Sequence, residues 1–240
     1  MKKQPVTLVT GATRGIGAAT AQMLAEAGHC VIGTGRNRPE HAPGPFYEVD
    51  FADPDATAAV LARIVEEHEV DHLVNNAGVS QSRSLEETTV ADMDLHYAVN
   101  LRAAVQCTQA VVPGMKGRGR GRIVNISSRV VLGRADRTPY AAAKAGLLSL
   151  SRGWALELAA FGITVNTIAP GPVRTALFDR NHPEGSEAYD TLLKTVPGGR
   201  FGTPDEVAAP IAFLLTDGAA YINGQVIYVC GGASVGAAPV

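Results

Sequence analysis

The chain is short of cysteine, of net charge and of long apolar runs, and each shortage removes a class of protein. Its three cysteines, Cys30, Cys107 and Cys230, are odd in number and widely spaced among apolar or small residues. A disulfide framework is therefore not expected; the pattern is that of reduced core thiols in a cytoplasmic protein. The 21 lysines and arginines stand against 23 aspartates and glutamates, a formal charge of −2. That balance argues against a dedicated binder of nucleic acid or of an anionic membrane. Met1-Lys2-Lys3 is followed by only a short strand-like run ending at Thr10, too brief for the apolar part of a signal peptide. No apolar run approaches the roughly 18 residues of a membrane span.

What is present is a chain of 240 residues, 46% hydrophobic, rich in small residues and in Val, Leu and Ile. One α/β domain covering residues 1–240 can hold this length around a sizeable core. Short β-rich runs alternate with longer helical patterns. The strands are expected at Val6 to Thr10, Cys30 to Thr34, Phe46 to Val49, Val70 to Val74, Arg122 to Ser127, Thr164 to Ile168 and Gln225 to Val229. Helices are expected across Gly15 to Ala27, Asp53 to Glu67, Val90 to Val112, Tyr140 to Ala160 and Pro204 to Leu215. Such alternation implies parallel strands joined by right-handed crossovers, a doubly wound sheet covered on both faces. Thr203-Pro204-Asp205-Glu206 reads as a capping box with proline at the first helical position, whereas Pro210 is awkward inside that helix. Gly171 to Gly202 shows no clear period, and a loop of that length is usually functional or mobile.

Chemistry enters at the first strand-to-helix turn. Thr10-Gly11-Ala12-Thr13-Arg14-Gly15-Ile16-Gly17 has the spacing GxxxGxG and the context a dinucleotide loop requires. Its glycines allow close approach of a pyrophosphate, and the helix N-terminus supplies amide donors. Gly11, Thr13, Arg14, Gly15, Ile16 and Gly17 are the expected contacts. The second strand ends in Gly33-Thr34-Gly35-Arg36-Asn37-Arg38, without the carboxylate that would hold an NAD ribose. Arg36 and Arg14 either grip the 2′-phosphate of NADP(H) or are solvated loop residues. Further on, Tyr140 and Lys144 are four apart and share a helix face. An ammonium held close to a phenol favours the phenolate and lowers its pKa toward what a proton donor or acceptor near neutral pH requires.

With this pair downstream of that loop, the chain resembles the short-chain dehydrogenase/reductase family along essentially its whole length. Asn75-Asn76-Ala77-Gly78, Asn100, Ile126-Ser127-Ser128 and Pro170-Gly171-Pro172-Val173-Arg174-Thr175 complete the pattern. The closest flavour is that of 3-oxoacyl-[acyl-carrier-protein] reductases and related bacterial carbonyl reductases. The resemblance implies a single-domain Rossmann fold with a seven-stranded parallel sheet of order 3-2-1-4-5-6-7. It implies an NADP-dependent enzyme acting on a small-molecule carbonyl or alcohol substrate, with Tyr140 as general acid or base. Lys144 would lower the Tyr140 pKa and hold the nicotinamide ribose, and Asn100 would hold a water linking Lys144 to solvent. A serine would bond the carbonyl oxygen. Ser127 lies at the commonest family interval from Tyr140, but counting from the strand favours Ser128, and strand alternation lets only one of them face the pocket. Asp50 and Phe51 match the adenine contact, and Asn76, Ala77 and Gly78 the adenosine ribose. Pro170, Gly171, Val173 and Thr175 match the nicotinamide end; Asn76 and Thr175 rank highest because their side chains can hydrogen-bond. A homotetramer or homodimer is implied, with the helices from Val90 and Tyr140 as subunit faces. An NAD-dependent alcohol, polyol or sterol-type dehydrogenase, and a non-catalytic dinucleotide-binding sensor or scaffold, are the alternatives.

Two motifs point elsewhere. His68-Glu69-Val70-Asp71-His72 matches the HExxH pattern of zinc proteases, but it crosses a helix-to-strand boundary, so no metal site is expected. Gly117-Arg118-Gly119-Arg120-Gly121-Arg122 lacks the aromatic interleaving of a nucleic-acid tract and reads as a solvated turn or a carrier-docking patch. Residues 176–199, with Phe178, Arg180, His182 and Tyr189, are expected to form a substrate lid. Arg129, Arg134 and Arg137 either attract an anionic or carrier-bound acyl chain or make surface or subunit ion pairs.

Overall fold

The structure is a computed structural model describing residues 4–236; Met1-Lys2-Lys3 lie outside the described residues. Alternation between two faces is what builds the sheet. Leu8, Ile32, Leu73 and Ile123 project to one side, and their chain neighbours Val9, Val31, Val74 and Val124 to the other. Strands β1 (Val6–Thr10), β2 (Cys30–Gly35), β3 (Phe46–Glu48), β4 (His72–Asn75), β5 (Gly121–Ile126), β6 (Ile163–Pro170) and β7 (Val226–Val229) form one parallel sheet. Its order is β3-β2-β1-β4-β5-β6-β7, as the resemblance implied.

One face is covered by α1 (Gly15–Glu26) and α8 (Pro204–Leu214), which contribute Ala21, Leu24, Val207, Ile211 and Leu214. The other is covered by α2 (Pro54–Glu67), α4 (Ala103–Arg118) and α5 (Thr138–Leu158), through Leu61, Ile64, Cys107, Val111, Met115 and Leu158. Each fully buried large apolar side chain contributes about 1.5–3 kcal/mol. The capping box at Thr203 and Glu206 is formed, and α8 continues through Pro210.

Two differences from the sequence reading bear on the site. The helix expected across Val90 to Val112 is α3 (Val90–Tyr97), a π-helical turn (Ala98–Arg102) and α4, so Asn100 lies in a distorted turn. The segment without a period holds two short helices, α6 (Ala176–Asn181) and α7 (Glu187–Leu193), capped by Thr175 and Ser186. Six and seven residues are too few to display a helical period. What fixes these helices is a separate cluster of Leu192, Val196 and Phe201, with Phe178 and Tyr189 against it.

Candidate active site

The chain crosses back from β3 to place β4 beside β1, and the loops after β1, β2, β4, β5 and β6 surround a cleft of about 1420 Å³ at the C-terminal ends of the strands. The glycine loop forms its floor. A Cβ at Gly17 would lie 2.2 Å from the Gly11 carbonyl oxygen, and Gly11, at φ 66°, would place one 2.8 Å from Ala77 Cα. Larger residues would therefore break the turn and fill the cradle.

The loop is braced from β4. The Thr10 hydroxyl accepts from the amides of Asn76 and Ala77 at 2.9 and 3.0 Å, and Asn76 Nδ2 donates to the carbonyls of Thr10 and Gly11 at 2.9 and 3.1 Å. The Asn76 amide nitrogen, ranked high as a ligand donor, is thus committed to holding the loop. Thr13 Oγ1 ties the same loop to the Asn37 carbonyl at 3.2 Å. Arg14 and Arg36 are exposed on the cleft, and their guanidiniums have no hydrogen-bond or ion-pair partner among the described residues. Glu48 reaches the turn after β2, but its Oε1 accepts from the Arg38 amide at 2.8 Å and it does not line the cleft. A close backbone cradle, a helix N-terminus and two free arginines fit a dinucleotide carrying a 2′-phosphate.

The opposite wall is the β5–α5 junction. One helical turn brings Tyr140 and Lys144 to the cleft together, with the Lys144 Nζ 5.9 Å from the Tyr140 ring centre. Lys144 is buried, and its Nζ donates to the Ile126 carbonyl at 2.7 Å. Burial pulls its pKa down to about 8. The adjacent serines divide their work. Ser127, buried, donates to the Lys144 carbonyl at 3.0 Å, while Ser128 lines the cleft with Tyr140 and its hydroxyl accepts from the Val130 amide at 3.3 Å. The expected acidification of Tyr140 by Lys144 is not what the structure displays. Burial pushes the phenol up, and the smaller pull downward comes from the Ser128 hydroxyl and the Arg137 charge; Lys144, its pKa near 8, has already lost its proton where so weak a phenol titrates.

Every expected cofactor contact lines the cleft, as do Ser128, Tyr140 and Lys144; Asn100 does not. Its side chain is spent on Val79: Nδ2 donates to the Val79 carbonyl at 2.9 Å, and Oδ1 accepts from the Val79 amide at 2.7 Å. These two bonds make Asn100 a clamp on the loop after β4, and they leave its second N–H and second Oδ1 lone pair uncommitted. Thr175 is likewise engaged, its hydroxyl accepting from the Phe178 amide at 3.1 Å, although it can still donate. Val173 pairs with Gly202, closing the base of the 171–202 segment, and Phe178, His182 and Leu192 form the cleft's outer side.

Similarity to known proteins agrees with this geometry. A family profile described as Enoyl-(Acyl carrier protein) reductase matches residues 11–234. The 3-oxoacyl-[acyl-carrier-protein] reductase FabG of Thermotoga maritima is 39% identical over 240 residues, covering 95% of this chain and 96% of its own. The chain belongs to the short-chain dehydrogenase/reductase family. The (2S)-[(R)-hydroxy(phenyl)methyl]succinyl-CoA dehydrogenase subunit BbsD of Thauera aromatica is 38% identical over 242 residues, 96% of each chain. Among solved structures, a Beutenbergia cavernae protein provisionally assigned as an NAD(P)-dependent gluconate 5-dehydrogenase, with NADP bound at low occupancy, superposes with a TM-score of 0.90. It is 34% identical and the match covers 95% of this chain and 96% of that one.

Membership in this oxidoreductase family leaves some residues to be explained by the chain itself. His68 caps the end of α2 and His72 begins β4, so the HExxH letters do straddle two elements, and no metal-binding group occurs among the described residues. The arginines of the 117–122 tract are held more firmly than a solvated turn would be. Arg118 and Arg120 face the buried Asp71 at 3.4 and 3.6 Å, and Arg122 donates to the Gly162 carbonyl at 3.2 Å. Cys107 is buried, its thiol pushed up to about 12 by desolvation, whereas Cys30 and Cys230 are only partly buried. Two residues near the site were not anticipated: Thr10, which opens the glycine-loop motif but was not among the expected contacts, and His96, whose buried ring meets Tyr140 edge-on at 6.2 Å. No helix among the described residues is long and apolar enough to cross a membrane.

Proposed function

We propose that the protein is an NADP(H)-dependent oxidoreductase that interconverts a ketone, 3-oxoacyl compounds included, and a secondary alcohol. The observation that carries this reading is the meeting of Ser128, Tyr140 and Lys144 on the wall of the same cleft that the glycine loop opens, with the Lys144 Nζ 5.9 Å from the Tyr140 ring centre. Bound NADP(H) supplies or accepts the hydride. Arg14 and Arg36 would hold its 2′-phosphate and Lys144 its ribose hydroxyls. NADP in the Beutenbergia cavernae neighbour supports this cofactor choice.

The chain's own part is to bind the carbonyl oxygen and move a proton to it. Ser128 and Tyr140 converge as two hydroxyl donors on the developing alkoxide. The upward-shifted phenol stays protonated at neutral pH, which makes it a donor ready for reduction. Lys144 then restores the proton: a buried ammonium with a pKa near 8 can release one at little cost near neutral pH and regain it from solvent. The clamp of Asn100 on Val79 keeps the wall beside this path in register. Residues 1–240 act as one catalytic unit, with 176–199 as the lid. Val90, Met93 and Tyr97, exposed on α3, suit a homodimeric or homotetrameric contact in a cytoplasmic enzyme.

The test is a panel of ketones, β-ketoesters and acyl thioesters, enoyl thioesters included, with NADPH oxidation as readout. Turnover of a ketone that Tyr140→Phe reduces by about a thousandfold, while NADPH binding is retained, is the expected result. Wild-type protein that binds NADPH but oxidises it with no carbonyl compound is instead a sensor or scaffold. Turnover of enoyl thioesters alone transfers the chemistry to a carbon–carbon double bond.

A further inference from the structure

Beyond Tyr140 the cleft is crowded with positive charge. Arg83, Arg129, Arg134 and Arg137 all line it. Two of them are committed. Arg83 Nε lies 3.4 Å from Asp92 Oδ2, and Arg129 Nη1 donates to the Ala233 carbonyl at 3.1 Å. The guanidiniums of Arg134 and Arg137 have no hydrogen-bond acceptor and no carboxylate within ion-pair distance among the described residues. Desolvation, together with the Arg137 and Arg129 charges, lowers the Arg134 pKa, and Asp136 opposes this only in part.

The turn that carries them is held in place. Asp136, between the two arginines, has φ 58° and is the one non-glycine residue in the left-handed region among those described. Its carbonyl accepts from the Arg83 amide at 3.0 Å and from the Ser82 hydroxyl at 3.3 Å, so the loop after β4 grips the strained residue. Arg137 caps the start of α5, three residues before Tyr140, and its charge reaches the phenol. Arg134 also borders a side groove of about 580 Å³ that runs along α7 to Thr195 and shares His182 and Leu192 with the main cleft.

Two unpaired guanidiniums on one cleft repel each other, and a planar anion accepting from both relieves the repulsion while matching their fork geometry. We propose that Arg134 and Arg137 anchor a carboxylate borne by the substrate, so that the carbonyl compound reduced at Ser128 and Tyr140 is an oxo acid. The carboxylate lies toward the 134–137 turn, and the remaining chain extends toward the side groove. This inference rests on the carbonyl-reducing reading above and adds the class of substrate to it.

The full chain, assayed with NADPH, is offered straight-chain oxo acids that differ in the spacing between ketone and carboxylate, each beside its methyl ester and its coenzyme A thioester. At one spacing or more the free acid should exceed the ester in kcat/KM by about tenfold, and Arg134→Gln and Arg137→Gln should each remove most of that preference through KM. Esters or thioesters that match the acids at every spacing overturn the proposal, as does an Arg134→Gln variant that depresses acid and ester alike. Calorimetry with hexanoate on the NADP-loaded protein separates the two claims. Hexanoate binding that is lost in the double variant, without turnover of any carbonyl compound, keeps the anchor and removes the reductase reading. Ester turnover without hexanoate binding does the reverse.

Discussion

The two walls of the cleft are built differently. On the β5–α5 side a chain of buried polar groups runs from Asn75 through Asn125 to Ser151, with bonds of 2.8 Å, and Ser127 and Lys144 each tie the helix to the strand. On the 171–202 side, Leu192, Val196 and Phe201 form a small cluster apart from both main cores. Arg174 there meets Asp179 and Glu184 in exposed ion pairs at 3.1 and 3.2 Å, contacts of a kind that contribute little to stability. Connected buried networks rigidify even where one atom, here Asn75 Oδ1, lacks a partner, and sparsely packed segments open at low cost. The contrast teaches that the groups proposed to move the proton are held by the core, while the segment proposed as the lid is packed in a cluster of its own.

The largest test of the rigid wall uses Lys144. Its pKa is about 8 in the folded protein, below the ordinary lysine value of 10.5. Between these pH values the unfolded chain binds more protons, so this group adds stability as pH rises through the window and adds nothing further above it. Below pH 8 its buried charge costs about 3 kcal/mol. The stability of Lys144→Met relative to wild type, from urea unfolding, should therefore start higher at pH 7 and lose most of that lead by pH 10.5. A lead independent of pH would mean that the ammonium is solvated and the wall is looser than described.

Next in size is the serine pair. Ser128→Ala should lower kcat about a hundredfold with little change in stability, because it removes an oxyanion donor. Ser127→Ala should cost about 1 kcal/mol of stability, since it deletes a buried hydrogen bond, and should change kcat far less. The reverse ranking would move the catalytic role to Ser127 and the structural one to Ser128.

That division was only half legible in the sequence. Strand alternation said that one serine faces the pocket; it could not say that the other would hold the Lys144 carbonyl, a contact across 17 residues. The sheet order and the glycine loop were legible because they rest on local periodicity and on spacing. Asn76 and Asn100 were found by motif, but the loop contacts that their side chains also make were not. An amide that can hold a ligand can equally hold a loop, and which one it does depends on the Thr10, Gly11 and Val79 backbone brought to it by the fold. The π-helical turn at Asn100 and the short α6 and α7 leave no periodic trace. The charge balance around Tyr140 was likewise out of reach, because it turns on how deeply the fold buries both Tyr140 and Lys144.

At the cofactor end, Arg36→Ala should raise KM for NADPH about tenfold while leaving KM for NADH within twofold, the loss expected of one charge-assisted phosphate contact. Equal loss for both cofactors would place Arg36 outside 2′-phosphate recognition.

The smallest effect probes the softer wall alone. Ser186 caps α7 through its hydroxyl, which accepts from the Tyr189 amide at 3.2 Å. Removing such a cap typically costs about 1 kcal/mol, but here the loss falls on a helix packed in its own cluster, so it should loosen the segment without unfolding the core. Ser186→Ala is expected to raise KM about two- to threefold, to speed amide hydrogen exchange across 187–193, and to leave Tm within roughly 1 °C of wild type. Exchange that quickens equally in α5, or a Tm that falls by several degrees, would show that the two walls share one cooperative unit. The segment would then be part of the rigid frame, and its freedom to fit different substrates would have to come from side chains alone.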